Sequence, residues 1–132
     1  EEGNLTAISY KEGQEVGRCE LVTADKDRKL SIEKESYTGL RNKEQELIYL
    51  VIESKDKNGI LATDDCSKII LSFDGNVDVL GFGSGNPKPN YNFNEGITEL
   101  FGGRAQIIVK KPMGRAKLTV NTENGISATV EL

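Results

Sequence analysis

Three segments of this sequence carry residue types that could bind a phosphate group or a metal ion. Gly81-Phe82-Gly83-Ser84-Gly85 is glycine-rich, but a dinucleotide fingerprint requires a glycine where Asn86 stands and a helix after it. The acidic turns Asp56-Lys57-Asn58-Gly59 and Asp64-Asp65 could attract calcium, although they do not meet the EF-hand pattern. We therefore predict no cofactor and no metal site. We expect Gly81–Gly85 to end a strand in a bulge and tight turns.

A further segment, Asn90-Tyr91-Asn92-Phe93-Asn94, alternates amides with two aromatic rings, a combination that could hydrogen-bond and stack on a sugar. In the alternative, which we favour, Phe93 packs into one end of the fold and pins a long loop, while the asparagines serve its turns. That irregular loop spans residues 83–103, and it is the surface at which we expect a partner to bind. The candidate residues for contact with that partner or with a sugar are Ser84, Asn86, Asn90, Tyr91, Asn92 and Phe93.

The residue types give little support to catalysis by this chain. It contains no histidine, which excludes a Ser-His-Asp triad, a Cys-His pair and a His-ligated zinc within it. The 21 acidic residues invite comparison with glycosidases, which use two carboxylates roughly 5–9.5 Å apart. Most of these acids lie in charged turns such as Asp25–Asp27 and Glu44–Glu46. We therefore predict a solvated surface and no catalytic residue.

Length and composition indicate a single globular domain. The chain has 132 residues, of which 36% are hydrophobic and 29% charged, enough for one core without metals or disulfides. The net charge of −4 argues against nucleic acid and anionic membranes as partners, and no apolar run reaches the ~20 residues that span a bilayer. The opening residues lack the features of a signal peptide, and we interpret the chain as a piece of a longer protein. Cys19 and Cys66 could form one disulfide, but we favour two free thiols.

The hydrophobic pattern has a period near two along almost the whole chain, which predicts β-strands. Asn4–Tyr10 and Gln14–Ala24 are expected to form a hairpin around Lys11-Glu12-Gly13, and Asn42–Leu47 is the one stretch that could start a helical turn. The apolar run Leu47–Ile52 predicts a central strand covered on both faces. Short strands at intervals of about ten residues, with turn residues between them, predict an all-β, immunoglobulin-like antiparallel β-sandwich.

An ordered set of motifs carries a resemblance to a known family. Its members are Val79-Leu80-Gly81-Phe82-Gly83-Ser84-Gly85-Asn86-Pro87, the spaced Phe93, Gly102-Gly103-Arg104-Ala105-Gln106-Ile107-Ile108-Val109, and the closing strands in residues 114–120 and 126–130. In this order they resemble the C-terminal immunoglobulin-like domain of glycoside hydrolase family 2 enzymes, which are mostly β-galactosidases. Residues 49–59 resemble an early strand and turn of that domain, and residues 3–16 resemble the final hairpin of the domain before it.

The resemblance implies that the chain has two parts. Residues 1–24 would be the terminal hairpin of a preceding immunoglobulin-like domain, and residues 25–132 the C-terminal β-sandwich domain. The domain would be a non-catalytic accessory or structural one, because the catalytic glutamates of the family lie on a barrel of ~250 residues for which this chain has no room. Its partners would be the other domains of a glycosidase that hydrolyses β-galactosides or related β-glycosides. Family members of this kind are often exported, which implies a periplasmic or extracellular location.

Two other functions stay open at this point. A carbohydrate-binding module would use the 83–103 loop, although the chain has no tryptophan and only 6% aromatic residues. A cell-surface adhesion-type immunoglobulin-like domain fits the fold, although the chain shows no internal repeat. A hairpin without its sheet leaves strand edges exposed. We therefore also predict that residues 1–24 pack on the sandwich or on a neighbouring copy of the chain, forming a homo-oligomer.

Overall fold

The computed structural model describes residues 2–35 and 46–132, and the regular structure within those ranges is entirely β. No helix that could cross a membrane occurs in these ranges. The helical turn expected at Asn42–Leu47 begins at residues outside the described ranges. The strands are β1 (Asn4–Lys11), β2 (Gln14–Val22), β3 (Arg28–Glu35), β4 (Leu47–Asp56), β5 (Lys68–Asp74), β6 (Asp78–Gly83), β7 (Ile97–Glu99), β8 (Arg104–Lys110), β9 (Lys117–Thr122) and β10 (Ser127–Glu131).

Two four-stranded antiparallel sheets pack against each other around one core. Their strand orders are β10-β9-β5-β7 and β3-β4-β8-β6. Alternate side chains of each strand point inward, so both sheets contribute to a cluster of buried residues that includes Leu50, Ile52, Ile69, Phe82, Ile107, Val109, Leu118 and Val120. The predicted all-β antiparallel sandwich is confirmed.

Strand β4 is central in its sheet, lying between β3 and β8, but it is not covered on both faces as predicted. Leu50 and Ile52 are fully buried, whereas Tyr49, Val51 and Glu53 remain partly exposed. An uninterrupted apolar run is compatible with one covered face or two. In the part of the chain that the structure describes, a second sheet packs on the inner face only. The open outer face is where the candidate site lies.

The loop expected over residues 83–103 is less irregular than predicted. It contains the short strand β7, which pairs with β5 and is held at its ends by backbone bonds from Leu71 N to Gly96 O and from Leu100 N to Ser67 O. The predicted bulge is present, but inside β6 and not at its end. The register with β8 shifts between Val79 and Gly81, which leaves Leu80 about half exposed.

Strands β1 and β2 form a two-stranded sheet of their own. The predicted hairpin turn is confirmed, with Glu12 and Gly13 both at positive φ (52° and 80°), as a type I′ turn requires. Every residue of both strands is exposed. The expectation that this hairpin packs on the sandwich is therefore wrong, and packing on a neighbouring copy stays a prediction.

The junction between the hairpin and the sandwich is held by Asp56, a buried residue at the end of β4. Its Oδ2 accepts the backbone N–H of Asp25 at 3.0 Å, while its Oδ1 accepts the N–H groups of Asn58 and Ile60 at 2.8 and 2.9 Å. Lys57 adds an ion pair to Asp25 at 3.1 Å. One carboxylate thus closes the turn after β4 and anchors the chain as it leaves the hairpin.

Candidate functional site

The outer face of the β3-β4-β8-β6 sheet carries a groove of about 840 Å³. Its middle is formed by outward side chains of two paired central strands, where Val51 lies opposite Gln106 and Glu53 opposite Arg104. We call this surface the sheet groove and define it by Val51, Glu53, Gly83, Phe93, Phe101 and Arg104, which all line it. Because the middle of the groove consists of paired strands, the positions of its side chains are set by the register of the sheet.

One wall of the sheet groove depends on a glycine. A methyl group at Gly83 would lie 2.5 Å from Cε1 of Phe93, so the absence of a side chain at Gly83 is what lets the Phe93 ring lie against β6. The backbone N–H of Phe82 donates to the carbonyl of Phe93 at 2.8 Å. The backbone at Phe93 thus holds its loop against β6, but the prediction that the Phe93 side chain packs into the end of the sandwich is wrong, because that side chain is 58% exposed.

The opposite end of the sheet groove is built by a two-residue turn. Gly102 and Gly103 have φ of 60° and 74°, and Phe101 and Arg104 exchange both backbone hydrogen bonds at 3.0 and 3.2 Å. This is the arrangement of a type I′ turn, in which both central residues have positive φ. It places Phe101 and Arg104 side by side at the start of β8.

The polar part of the sheet groove is an ion-paired glutamate. Glu53, whose side chain is 16% exposed, contacts Lys55 Nζ at 2.5 Å and Arg104 Nε at 2.8 Å. The hydrogen bond from Lys55, helped by Arg104, lowers the pKa of Glu53 despite the opposing effect of burial. Glu53 is therefore ionised at neutral pH and serves as a hydrogen-bond acceptor, not as a proton donor.

The structure does not bring the predicted contact residues together. Ser84 and Phe93 line the sheet groove, whereas Asn90 bonds to Glu99 at 2.9 Å and the Tyr91 ring lies 5.9 Å from Lys68 Nζ, at the β5–β7 edge. The other two residues serve local turns. Asn86 accepts the N–H of Lys88 at 2.9 Å, and Asn92 donates to Glu95 at 2.6 Å.

Sequence reasoning missed the two charged residues of the sheet groove, Glu53 and Arg104, and one of its two exposed aromatic residues, Phe101. The Gly-Gly pair between Phe101 and Arg104 is a recognisable hairpin signal, and it could have placed these two side chains next to each other. Nothing local to Glu53 indicates its role. It meets Arg104 only through the pairing of β4 with β8, two strands that are distant in sequence.

The carboxylates considered for calcium are all engaged with protein groups. Asp64 makes a bidentate contact with Arg28 Nη2 at 2.9 and 2.7 Å. The buried Asp65 accepts the hydroxyls of Ser54 and Ser67, each at 2.5 Å. Burial raises the pKa of Asp65, but these hydrogen bonds outweigh it and the pKa is lowered. Together with Asp56, these residues hold loops in place. The described residues contain no group of three or more side chains that could bind a metal ion.

The two cysteines lie in different parts of the fold. Cys19 lies in β2 of the hairpin and Cys66 in the loop before β5. Both are free and exposed, as expected from the sequence.

Comparison with known proteins places this fold in context. Among solved structures, a glycosyl hydrolase family 2 member from Bacteroides cellulosilyticus DSM 14838 matches with a TM-score of 0.84 and 24% identity, over 100% of this chain and 18% of that one. A β-glycosidase from Bacteroides vulgatus matches with a TM-score of 0.76 and 20% identity, over 100% and 17%. A β-glucuronidase from Parabacteroides merdae matches with a TM-score of 0.63 and 21% identity, over 98% and 16%. This chain therefore spans less than a fifth of the length of these proteins.

Sequence comparison identifies the family itself. No curated protein matches this chain. The model of a family described as glycoside hydrolase family 2 C-terminal domain 5 matches residues 30–131. This is most of the sequence, and it includes the strands β3 to β10 apart from the first two residues of β3. The resemblance found in the sequence motifs is thereby confirmed, and the chain belongs to the glycoside hydrolase family 2 C-terminal domain 5 family.

Proposed function

We propose that this chain is a non-catalytic accessory region of a glycosidase that cleaves β-galactosides or related β-glycosides. Residues 25–132 would be its C-terminal sandwich domain, and residues 1–24 the last hairpin of the domain before it. The family match over residues 30–131 carries the proposal. It is supported by the glycosidases among the structural matches, of which this chain covers 16–18%. Export of the parent enzyme is part of the proposal and rests on the family resemblance alone.

The state of the carboxyl groups supports a non-catalytic role. A retaining or inverting glycosidase needs one carboxylic acid whose pKa is raised, so that it can protonate the leaving group. In the described residues, every carboxyl group with a resolved shift has a lowered pKa. These groups are Asp25, Glu53, Asp56, Asp64 and Asp65. Glu53, which lines the sheet groove, is held ionised by Lys55 and cannot serve as that acid.

The hairpin supports the division into two parts. One of its faces carries the cross-strand pairs Leu5–Leu21 and Ala7–Cys19, and Leu5 and Leu21 are 69% and 68% exposed. Two leucines facing water on an isolated hairpin leave apolar surface that a further sheet would cover. The family match begins after the hairpin, whereas the structural match to the Bacteroides cellulosilyticus protein includes it. We therefore propose that the preceding domain of the parent covers this surface.

Hydrogen exchange and two leucine variants test the division. Amides of β1 and β2 should exchange much faster than those of β4 and β8, because the hairpin has no packed layer to protect it. Leu21→Ala should leave the thermal midpoint of the sandwich unchanged. Leu118→Ala, a matched change in the core where the side chain is 0% exposed, should cost about 2–5 kcal/mol. Slow exchange of the hairpin amides in a chain shown to be monomeric would contradict the proposal.

An activity assay tests the non-catalytic role directly. The chain, incubated with 4-nitrophenyl β-galactoside, β-glucoside and β-glucuronide, should release nitrophenol no faster than buffer does. The Glu53→Gln variant is the control for trace contamination, because a contaminating enzyme is indifferent to that substitution. Release of nitrophenol by the wild-type chain that the Glu53→Gln variant loses would refute the non-catalytic role.

A further inference from the structure

We propose that the sheet groove binds an uncharged oligosaccharide, with Phe93 and Phe101 in contact with sugar rings and Arg104 and Glu53 bonded to hydroxyl groups. The inference extends the proposed function, since a glycosidase parent is what would bring glycans to this domain. Its ligand site shares Ser84 and Phe93 with the one expected from the sequence, but it adds Glu53, Phe101 and Arg104 and leaves out the asparagines and Tyr91.

The apolar part of the sheet groove is exposed aromatic surface on a rigid base. Phe93 and Phe101 are 58% and 48% exposed, yet both are held by backbone bonds to neighbouring chain segments, Phe93 to Phe82 and Phe101 to Arg104. Because the backbone at both positions is already ordered, binding would not have to order these chain segments. Two such rings in one concave surface are suited to the apolar faces of sugar rings.

The polar part of the sheet groove matches hydroxyl groups in particular. Glu53 is a pure acceptor while it is ionised, and Arg104 is a pure donor. A sugar hydroxyl both donates and accepts, so neighbouring hydroxyls can bond to both side chains at once. The ion pair between Glu53 and Arg104 at 2.8 Å holds these two groups ready before a ligand arrives.

The charges of the sheet groove favour a neutral ligand. Its described lining includes the carboxylates of Glu35 and Glu53 and the guanidinium of Arg104, and Lys55 adds a second cation through its ion pair with Glu53. Glu33 also contacts Lys55, at 3.7 Å, so these three carboxylates and two cations give no positive field that would attract a polyanion. Nucleic acids and polyuronides therefore fit this surface less well than neutral glycans.

A sister protein domain is the competing occupant, and the same ion pairs disfavour it. Lys and Glu are depleted at the centre of a protein–protein interface, although Phe and Arg are enriched there, because taking such charges out of water is costly unless every one of them finds a partner. Covering the ion pair of Glu53 and Lys55 with an apolar surface would incur that cost. A hydroxylated ligand supplies hydrogen bonds and avoids it. The volume of about 840 Å³ also lies within the range of small-molecule sites, roughly 300–1,000 Å³.

The test is an NMR titration of the isotope-labelled 132-residue chain with neutral galacto-, xylo-, cello- and manno-oligosaccharides. At least one of them should shift the amides of residues 81–85 and 101–106 and saturate at millimolar concentration or below. Phe101→Ala should weaken that binding by about tenfold or more, as the loss of a central aromatic contact does. Phe73→Ala is the matched control, because Phe73 is 53% exposed on β5 of the other sheet, and it should bind like the wild type.

Three results would overturn the assignment. The first is the absence of shifts with every neutral oligosaccharide. The second is binding that Tyr91→Ala abolishes and Phe101→Ala does not, which would assign the ligand to the loop. The third is a change of the groove amides on dilution without any sugar, which would assign the sheet groove to a second copy of the chain. None of these results changes the outcome expected in the hydrogen-exchange and nitrophenyl assays. A failure of the oligosaccharide proposal can therefore be distinguished from a failure of the proposed accessory role.

Discussion

Gly103 is the position where the addition of one methyl group is expected to do the most damage to the site. It is buried, with a φ of 74°, and a Cβ built on it would overlap the carbonyl oxygen of Ala62 and lie 3.0 Å from its carbonyl carbon. That carbonyl cannot retreat freely, because it accepts the N–H of Asp65 at 2.9 Å. The neighbouring Gly102 has a similar φ of 60° but no atom within 4 Å of its Cβ. Comparing Gly102→Ala with Gly103→Ala therefore separates the cost of backbone strain from the cost of steric overlap.

The expected loss of stability in each variant is the sum of the backbone strain and the steric overlap that the added methyl group causes. Alanine in the left-handed region costs about 1–2 kcal/mol, and about 0.4–1 kcal/mol is recovered because alanine restricts the unfolded chain. Gly102→Ala should therefore lose roughly 1 kcal/mol. Gly103→Ala adds an overpacking cost of about 1–3 kcal/mol, for a total of roughly 2–4 kcal/mol. For a domain of this size, that total should lower the thermal midpoint by roughly 10 °C or more.

Urea denaturation of the two variants and the wild type measures the difference. Both variants should unfold in one cooperative step with an unchanged m-value, and the midpoint of Gly103→Ala should be clearly lower than that of Gly102→Ala. Equal destabilisation by the two substitutions would refute the reasoning. It would mean that the Ala62 carbonyl moves aside without loss, and that strain alone sets the requirement for glycine in the turn that places Phe101 and Arg104.

Two further predictions concern the site and its support. Gly83→Ala should displace the Phe93 ring and change its NMR chemical shifts, at a cost below about 1.5 kcal/mol because the obstructing group is an exposed side chain. Gly81→Ala is the control, since no atom lies within 4 Å of its Cβ, and it should leave the ring in place. Unchanged ring shifts in both variants would contradict this. Asp65→Asn should cost about 1–3 kcal/mol at neutral pH. Because the pKa of Asp65 is lowered in the folded chain, its carboxylate stabilises the fold above the unfolded pKa of about 3.9, and this stabilisation is lost as the pH falls below that value. The variant should therefore lose less stability in acid than the wild type, and a loss as steep as that of the exposed Asp74→Asn control would contradict this.

Much of the architecture could be predicted because it depends on local patterns. Alternation along Leu118 and Val120 marks a strand with one buried face, and Glu12-Gly13 marks a hairpin turn. Whether one or both faces of the strand at Leu47–Ile52 are buried could not be predicted in the same way. An apolar run does not indicate how many layers cover it, and among the described residues a second sheet packs only on the inner face of β4.

The amino-acid sequence by itself determined the class of the fold, its family and the absence of histidine chemistry, because each of these depends on residue type and spacing along the chain. Only the tertiary structure decided where a ligand can bind. In the folded chain, Tyr91 lies at the β5–β7 edge and Phe93 lies on the outer face of β6. Glu53 forms an ion pair with Arg104, which is 51 residues away in the sequence. A binding surface is a property of strand register and of which sheet faces stay uncovered, and neither follows from a local pattern.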